Sequence, residues 1–148
     1  MEYTTENNLI IEDGVVKNGK GCVGEITVPE GVTEIAPKAF YNNKKLTGLV
    51  LPEGVRKLGK YMVSGCTNLK YVQVPDSVCE MDDCALMRKF ESDVGFNHVM
   101  ENKEYYPDIR CHEGSWIAER MQQVKDSDSW ENAHGTRHFV EIVLVPRA

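Results

Sequence analysis

Three prolines divide the first part of the chain into equal lengths, because Pro29, Pro52 and Pro75 follow one another at intervals of 23 residues. Apolar residues recur around each proline in the same register, which is the pattern of a repeat architecture whose units share one core. The recurring sets are Val23, Leu46 and Leu69; Ile26, Leu49 and Val72; Val28, Leu51 and Val74; Val32, Val55 and Val78; Ile35, Leu58 and Met81; Ala39, Met62 and Ala85; Phe40, Val63 and Leu86. The period predicts that these side chains point inward.

A unit of this length cannot bury its own apolar side, but units packed side by side make each set into a continuous row. A period of two precedes each proline, at residues 26–28, 49–51 and 72–74, where the middle residues are Thr27, Val50 and Gln73. This period of two predicts short parallel strands, each closed by a proline that has no N–H for the ladder. The Pro-Glu-Gly and Pro-Asp-Ser steps predict turns, and a helical turn is expected at residues 37–41.

Two segments carry a family pattern: TVPEGVTEIAPKAFYNNKKLTGLVLPEGV and LGKYMVSGCTNLKYVQVPDSV. They resemble the IPxxVxxIgxxAFxxCxxLxxI repeats of BspA-like leucine-rich repeat proteins, over residues 9–86 and more weakly over residues 109–121. The resemblance implies a short α/β leucine-rich-repeat solenoid with parallel strands. It also implies a protein-interaction module, since many BspA-like repeats are adhesive or interaction modules.

Nonrepetitive segments flank the repeats, and the whole chain of 148 residues is expected to form a single domain. Residues 1–22 predict an N-terminal hairpin cap, in which Asp13-Gly14 supplies a tight turn between two apolar runs. Residues 23–86 contain the leucine-rich repeats. Residues 87–148 are interpreted as an interrupted repeat followed by a C-terminal cap.

The third repeat loses its pattern, because Ser92 and Gly95 occupy two positions that are apolar in the earlier repeats. In place of the regular continuation we expect a helix over residues 85–90, capped by Asp82 or Asp83. An inserted loop is expected to follow this helix.

The C-terminal cap is predicted to contain a helix and a strand. Residues 109–111 predict a last strand that rejoins the repeat sheet, and Ser115 is expected to be the N-cap of the helix that follows. The β-branched run FVEIVLVP, at residues 139–146, predicts a further strand. Since two and a half repeats are fewer than the roughly three usually needed, this cap is expected to cover the last repeat.

Four residues have the types and part of the spacing of a zinc site, namely Cys79, Cys84, His134 and His138. The H-x3-H spacing favours a metal, whereas the fifty residues from Cys84 to His134 are far more than a compact zinc finger has. Free thiols and solvated histidines are therefore the preferred interpretation, and no cofactor is expected. A metal- or ligand-binding site in the C-terminal third, with the repeats as scaffold, stays open as the alternative function.

A cysteine nucleophile is the second chemical possibility, with Cys111 as the thiolate and His112, or a distant His134 or His138, as its base. Adjacent residues on a strand point to opposite faces, so His112 is poorly placed to activate Cys111. Cys111 also stands at an inward position, where core packing explains it. The chain is therefore expected not to be an enzyme.

Composition limits the classes of partner. The chain has a formal net charge of -6 and lacks a run rich in lysine and arginine, which argues against nucleic acid. Its apolar stretches are too short to span a membrane, and MEYTTENNLIIEDG does not resemble a secretory signal. The five cysteines are odd in number and far apart, which fits reduced thiols in a cytoplasm. A secreted or surface-exposed location stays open as the alternative. Neither the oligomeric state nor the identity of a protein partner follows from these features.

Alternate residues of the predicted strands face outward, and such exposed faces are where repeat proteins usually bind other proteins. The residues predicted to bind a partner are Glu25, Thr27, Val50, Tyr71 and Gln73, extended by Arg110 and His112. A noncatalytic protein-binding module is therefore the first functional hypothesis. A third hypothesis is a structural subunit whose C-terminal strand pairs with another chain.

Overall fold

The computed structural model describes residues 2–4, 8–82, 85–87, 106–125 and 142–145. These residues form eleven short strands and one helix. The strands are β1 (Glu2–Thr4), β2 (Ile10–Glu12), β3 (Val15–Asn18), β4 (Gly24–Thr27), β5 (Glu34–Ile35), β6 (Leu46–Val50), β7 (Lys57–Leu58), β8 (Tyr71–Gln73), β9 (Glu80–Met81), β10 (Asp108–His112) and β11 (Ile142–Val145), and the helix is α1 (Trp116–Lys125).

The described strands form two sheets. Sheet A has the order β1-β2-β3-β5-β7-β9, and sheet B has the order β11-β10-β8-β6-β4. All pairs in sheet B are parallel, as are the pairs from β3 to β9 in sheet A. Each repeat thus contributes one strand to each sheet, which confirms the predicted parallel strands.

The 23-residue period becomes the register of sheet B. Ile26 lies opposite Leu49, and Leu49 lies opposite Val72. Beyond the regular repeats, Ile109 and Ile142 continue the same row on β10 and β11. One row of aliphatic side chains therefore crosses all five strands of the described sheet.

The inward rows form the core. Of the twenty-one recurring apolar residues, nineteen are buried and Met81 is half-buried, which confirms the prediction for those positions. All nineteen buried residues are no more than 3% exposed, including Phe40, Leu49 and Met62. The rows lie between the two sheets because each strand turns alternate side chains inward.

Val23 is the exception, and its predicted inward position is wrong. Its side chain is 63% exposed, and the neighbouring Cys22 is buried instead. The register shifts between Gly24, which lies opposite Leu46, and Glu25, which lies opposite Gly48. Gly24 has a φ of 82°, so the chain turns there and enters sheet B with a bulge.

The helical turn expected at residues 37–41 is also wrong. The segment is a series of tight turns, in which the amide of Ala39 bonds to the carbonyl of Ala36 and that of Tyr41 to the carbonyl of Lys38. Lys38 has a φ of 59°, which is outside the helical region. Tyr61, one period later, has a φ of 60°. The left-handed residue is therefore a property of the repeat.

Asn43 joins the first repeat to the N-terminal segment from a buried position. Its side-chain amide donates to the carbonyls of Gly19 and Cys22, each at 2.9 Å. Its side-chain oxygen accepts from the amides of Lys45 at 2.9 Å and Leu46 at 3.1 Å. One side chain thus satisfies four backbone groups at the end of a turn, where buried groups without a partner are costly.

We predict that Asn43→Ala lowers the free energy of unfolding by about 3 kcal/mol, because it leaves buried backbone groups without partners. The matched control is Asn68→Ala, which removes an exposed bond to the carbonyl of Lys44 and is expected to cost less than about 1 kcal/mol. Urea unfolding followed by circular dichroism measures both. Equal losses for the two variants would contradict the role assigned to Asn43.

The predicted N-terminal hairpin is present. β2 and β3 pair antiparallel around Asp13 and Gly14, whose φ angles of 51° and 78° give the two left-handed residues that such a turn needs. β3 then pairs in parallel with β5 of the first repeat. β1 pairs with β2 as a further antiparallel strand that the sequence analysis does not predict.

The predicted last strand and the helix cap are confirmed. β10 pairs in parallel with β8. The Ser115 hydroxyl accepts from the amide of Ala118 and donates to the carbonyl of His112, so Ser115 is the N-cap of α1. In the interrupted repeat, residues 85–86 form a turn and residues 85–87 are buried. The rest of the predicted helix and the inserted loop, including Asp83, Ser92 and Gly95, lie outside the described residues.

The C-terminal strand joins sheet B, since β11 pairs in parallel with β10. Ile142 packs partly buried against the core, whereas Leu144, two residues further on, is 50% exposed. The strand predicted within residues 139–146 is thus confirmed for the four residues that the structure describes, and it adds to the sheet of its own chain.

We predict that removing residues 139–148 lowers the melting temperature, because the row that ends at Ile142 loses its last member. Ile142→Ser alone is expected to cost about 1–2 kcal/mol, while Leu144→Ser costs less than about 0.5 kcal/mol. Thermal unfolding by calorimetry measures all three changes. An unchanged melting temperature for the truncated chain would show that this strand does not support the repeats.

Candidate partner-binding face

The outward side chains of sheet B form a continuous surface, called here the outer face. Its register aligns three rows across the strands. The first contains Glu25, Gly48, Tyr71 and Asp108, and the second contains Thr27, Val50, Gln73, Arg110 and Val143. Beyond them lie Pro29, Pro52, Pro75, His112 and Val145, which line one groove.

Tyr71 is the organising side chain of the first two rows. Its hydroxyl donates to the carboxylate of Glu25, which lies two strands away on β4. The ring crosses Gly48, where an added Cβ would lie 2.7 Å from the ring carbons. The guanidinium of Arg110 lies 3.8 Å from the ring centroid. Glu25, Gly48, Tyr71 and Arg110 are called the Tyr71 platform below.

Three interactions hold the half-buried ring of Tyr71 in place, namely the hydrogen bond to Glu25, the packing over Gly48 and the contact with Arg110. The contact of Arg110 with the ring is a cation–π interaction. The hydrogen bond to Glu25 raises the pKa of the Tyr71 hydroxyl, because the carboxylate favours the protonated phenol, whereas the positive charge of Arg110 acts in the opposite direction.

We predict opposite effects of two substitutions on the pKa of Tyr71. Glu25→Gln lowers it, because the negative charge at the hydroxyl is removed, and Arg110→Gln raises it, because a nearby positive charge is removed. Phenolate absorbance measured against pH, with Tyr71→Phe as the reference, isolates this residue from the other tyrosines. Shifts of the same sign would disprove the arrangement of charges around the ring.

A groove of about 390 Å³ lies beside the platform, where the strands of sheet B end. Its apolar lining, called here the floor, comes from the three prolines and from Val28, Val50, Leu51, Val74, Cys111 and Val145. Its polar lining residues are Thr27, Glu30, Glu53, Gln73 and His112. The groove therefore crosses from the first repeat to β11.

His112 is fixed at one end of this groove. Its Nδ1 lies 3.0 Å from Oδ1 of Asp76, and both side chains are about one-third exposed. The backbone carbonyl of His112 accepts from the hydroxyl of Ser115, the N-cap of α1. The helix thus positions the end of β10 that carries His112.

All seven residues predicted to bind a partner lie on the outer face. Three belong to the platform and four line the groove: Glu25, Tyr71 and Arg110, and Thr27, Val50, Gln73 and His112. Their role in binding stays a prediction. Glu30, Glu53 and Val145, which also line the groove, and Asp76, the partner of His112, were not predicted from the sequence. The residue directly after each proline is acidic in all three repeats, and this recurrence could have identified Glu30, Glu53 and Asp76 from the sequence.

Of the four residues considered for a zinc site, Cys79 lies among the described residues. Cys79 is exposed, and Cys84, His134 and His138 lie outside the described part of the chain. Within that part, no group of three or more His, Cys, Asp or Glu side chains is arranged to hold a metal. The metal hypothesis stays an untested prediction.

The buried thiols are poorly suited to nucleophilic chemistry. Burial raises the pKa of Cys111, and it raises the pKa of Cys22 and of Cys66 to about 11. Cys111 is only 2% exposed and lies on the inner side of β10, whereas His112 lies on the outer face beside Asp76. Since nucleophilic attack requires the thiolate, this geometry does not favour Cys111 as a nucleophile.

Comparison with known proteins places the repeats in a family. No curated protein matches the chain. The described residues contain no helix long and apolar enough to cross a membrane. A family model for BspA-type leucine-rich repeat regions, built from six copies, matches residues 7–97. Leucine-rich repeats of this kind are typically noncatalytic and generally mediate protein–protein interactions. The chain belongs to the BspA-type leucine-rich repeat family.

Proposed function

We propose that this protein is a noncatalytic interaction module, a short leucine-rich-repeat solenoid that binds another protein through the outer face of sheet B. The observation that carries the proposal is the Tyr71 platform, an aromatic ring held between a carboxylate and a guanidinium on an exposed sheet. The partner is a protein of unidentified sequence, and the net charge of -6 disfavours nucleic acid in its place.

The residue types of the platform favour protein recognition. Tyrosine and arginine are enriched among the few residues that contribute most of the energy at protein interfaces. Tyr71 and Arg110 are both half-buried, so each keeps surface that a partner can cover. A flat ring on a parallel sheet presents a large contact area with few rotatable bonds.

Preorganisation supports the same conclusion. A partner that binds a mobile side chain must also order it, at about 0.5–1.5 kcal/mol for each side chain. The Tyr71 ring is already placed by Glu25, by Arg110 and by the space that Gly48 leaves. Most of this ordering cost is therefore met in the free protein.

We propose a noncatalytic role because polar groups of the outer face already make contacts within the protein. Tyr71 bonds to Glu25, and His112 lies beside Asp76. Cys111 lies on the opposite side of β10, buried in the core. Tyr71 and His112, two groups suited to acid–base chemistry on this face, thus each have a structural contact, which favours recognition over reaction.

We predict that Tyr71→Ala weakens partner binding at least about tenfold, because an interface tyrosine at a packed position contributes on the order of 2 kcal/mol. Proteins captured by the immobilised chain from a lysate of its host are identified by mass spectrometry. The captured protein is then purified, and its dissociation constant is measured for the wild type and the variant.

The matched control is Tyr41→Ala. Tyr41 is also half-buried and lies under a cation, with Lys38 Nζ 5.4 Å from its ring centroid, but it stands in the turns outside sheet B. Its substitution is expected to leave the dissociation constant within about twofold, since it removes no residue of the outer face. Equal loss in both variants, or no loss with Tyr71→Ala, would argue against the assigned face.

A further inference from the structure

Two carboxylates line the groove beside the platform at the same position of successive repeats, and they are called here the rim. Glu30 follows Pro29, and Glu53 follows Pro52, and both side chains are exposed. At this position the third repeat has Asp76, whose carboxylate lies 3.0 Å from His112. Glu30 and Glu53 stand in turns one period apart, and their like charges repel each other. The rim of the first two repeats therefore favours a ligand that brings positive charge.

Among the described residues that line the groove, no lysine or arginine balances Glu30 and Glu53. Arg110, a cation of the outer face, lies over the ring of Tyr71 instead. The chain as a whole carries a net charge of -6, which adds to the negative potential at this rim.

The floor of the groove is apolar and crosses the strands. The three prolines, Val50 and Val145 contribute apolar surface from the first repeat to β11. Neighbouring strands lie about 4.8 Å apart, so five strands span about 19 Å. An extended peptide rises about 3.3 Å per residue, and about six residues therefore cover this length.

We propose that this groove binds an extended basic segment of the partner protein, with alternating aliphatic side chains on the proline floor and lysine or arginine side chains on Glu30 and Glu53. The inference rests on the proposed function and names the chemistry of the partner. Thr27 and Gln73, both exposed beside the floor, supply hydrogen-bonding groups for the backbone of the segment.

The test uses three fluorescein-labelled hexapeptides, blocked at both ends, in which valine alternates with lysine, glutamine or glutamate. Fluorescence anisotropy with the full chain measures their dissociation constants. We expect the lysine peptide to bind at least about tenfold more tightly than the glutamine peptide, and the glutamate peptide to bind weakest. Equal affinities for the lysine and glutamine peptides would overturn the proposal.

The double variant Glu30→Gln/Glu53→Gln is expected to weaken binding of the lysine peptide about tenfold, since two exposed ion pairs are lost. Its matched control is Glu34→Gln/Glu80→Gln, which makes the same change of charge on sheet A. At physiological salt the control is expected to change binding less than about twofold, because charges more than about 8 Å away are screened. Equal effects of the two double variants would mean that net charge alone attracts the peptide, which would overturn the site.

Two further outcomes are decisive. Spermidine that displaces the lysine peptide at the peptide's own dissociation constant would indicate a small cationic ligand, and the assignment to an extended segment would then be wrong. The test is also separate from that of the platform, because Tyr71 does not line the groove. Loss of partner binding in Tyr71→Ala, combined with no effect of Glu30→Gln/Glu53→Gln on the peptide, would leave the proposed function standing without this inference.

Discussion

Parallel pairing of residues 23 positions apart is the constraint on which the rest of the structure depends. On sheet B Val50 lies opposite Gln73, and on sheet A Ile35 lies opposite Leu58. Because the same offset operates in both sheets, each inward position meets its counterpart in the next repeat. Burial of the apolar rows follows from this register, as does the alignment of the outer face.

The sequence predicts this part of the fold well, because the register and the burial have the same cause. An apolar residue that recurs with the period packs against the equivalent residues of the neighbouring repeats, so the row through Ile26 can be predicted from the sequence alone. The period does not predict that Val23 is exposed, because its displacement depends on the left-handed backbone conformation of Gly24 and on the bulge there. The period also does not predict that the backbone of Lys38 adopts the left-handed conformation, since lysine has no preference for it.

The candidate site was predictable to a smaller extent. Alternation along the strands places Glu25, Tyr71 and Arg110 on one face, and the structure agrees. Their mutual contacts depend on side-chain length and on the space above Gly48, neither of which a repeat pattern encodes. The pairing of Asp76 with His112 was equally hidden, because 36 residues separate them and an interrupted repeat lies between. Contacts between a repeat and the nonrepetitive cap carry no periodic signal.

Variation and repetition contribute different properties to the outer face. At the platform, successive repeats carry Glu25, Gly48 and Tyr71, and the arrangement requires that they differ, because a side chain at residue 48 would displace the ring. In the groove, proline recurs in all three repeats and an acidic rim residue in the first two, whereas Asp76 of the third lies beside His112. Under the proposed function, a groove lined by recurring residues distinguishes a class of ligand by charge, whereas a single fixed ring distinguishes one partner from another by shape. Selectivity of the proposed binding face then depends on the positions where the repeats differ.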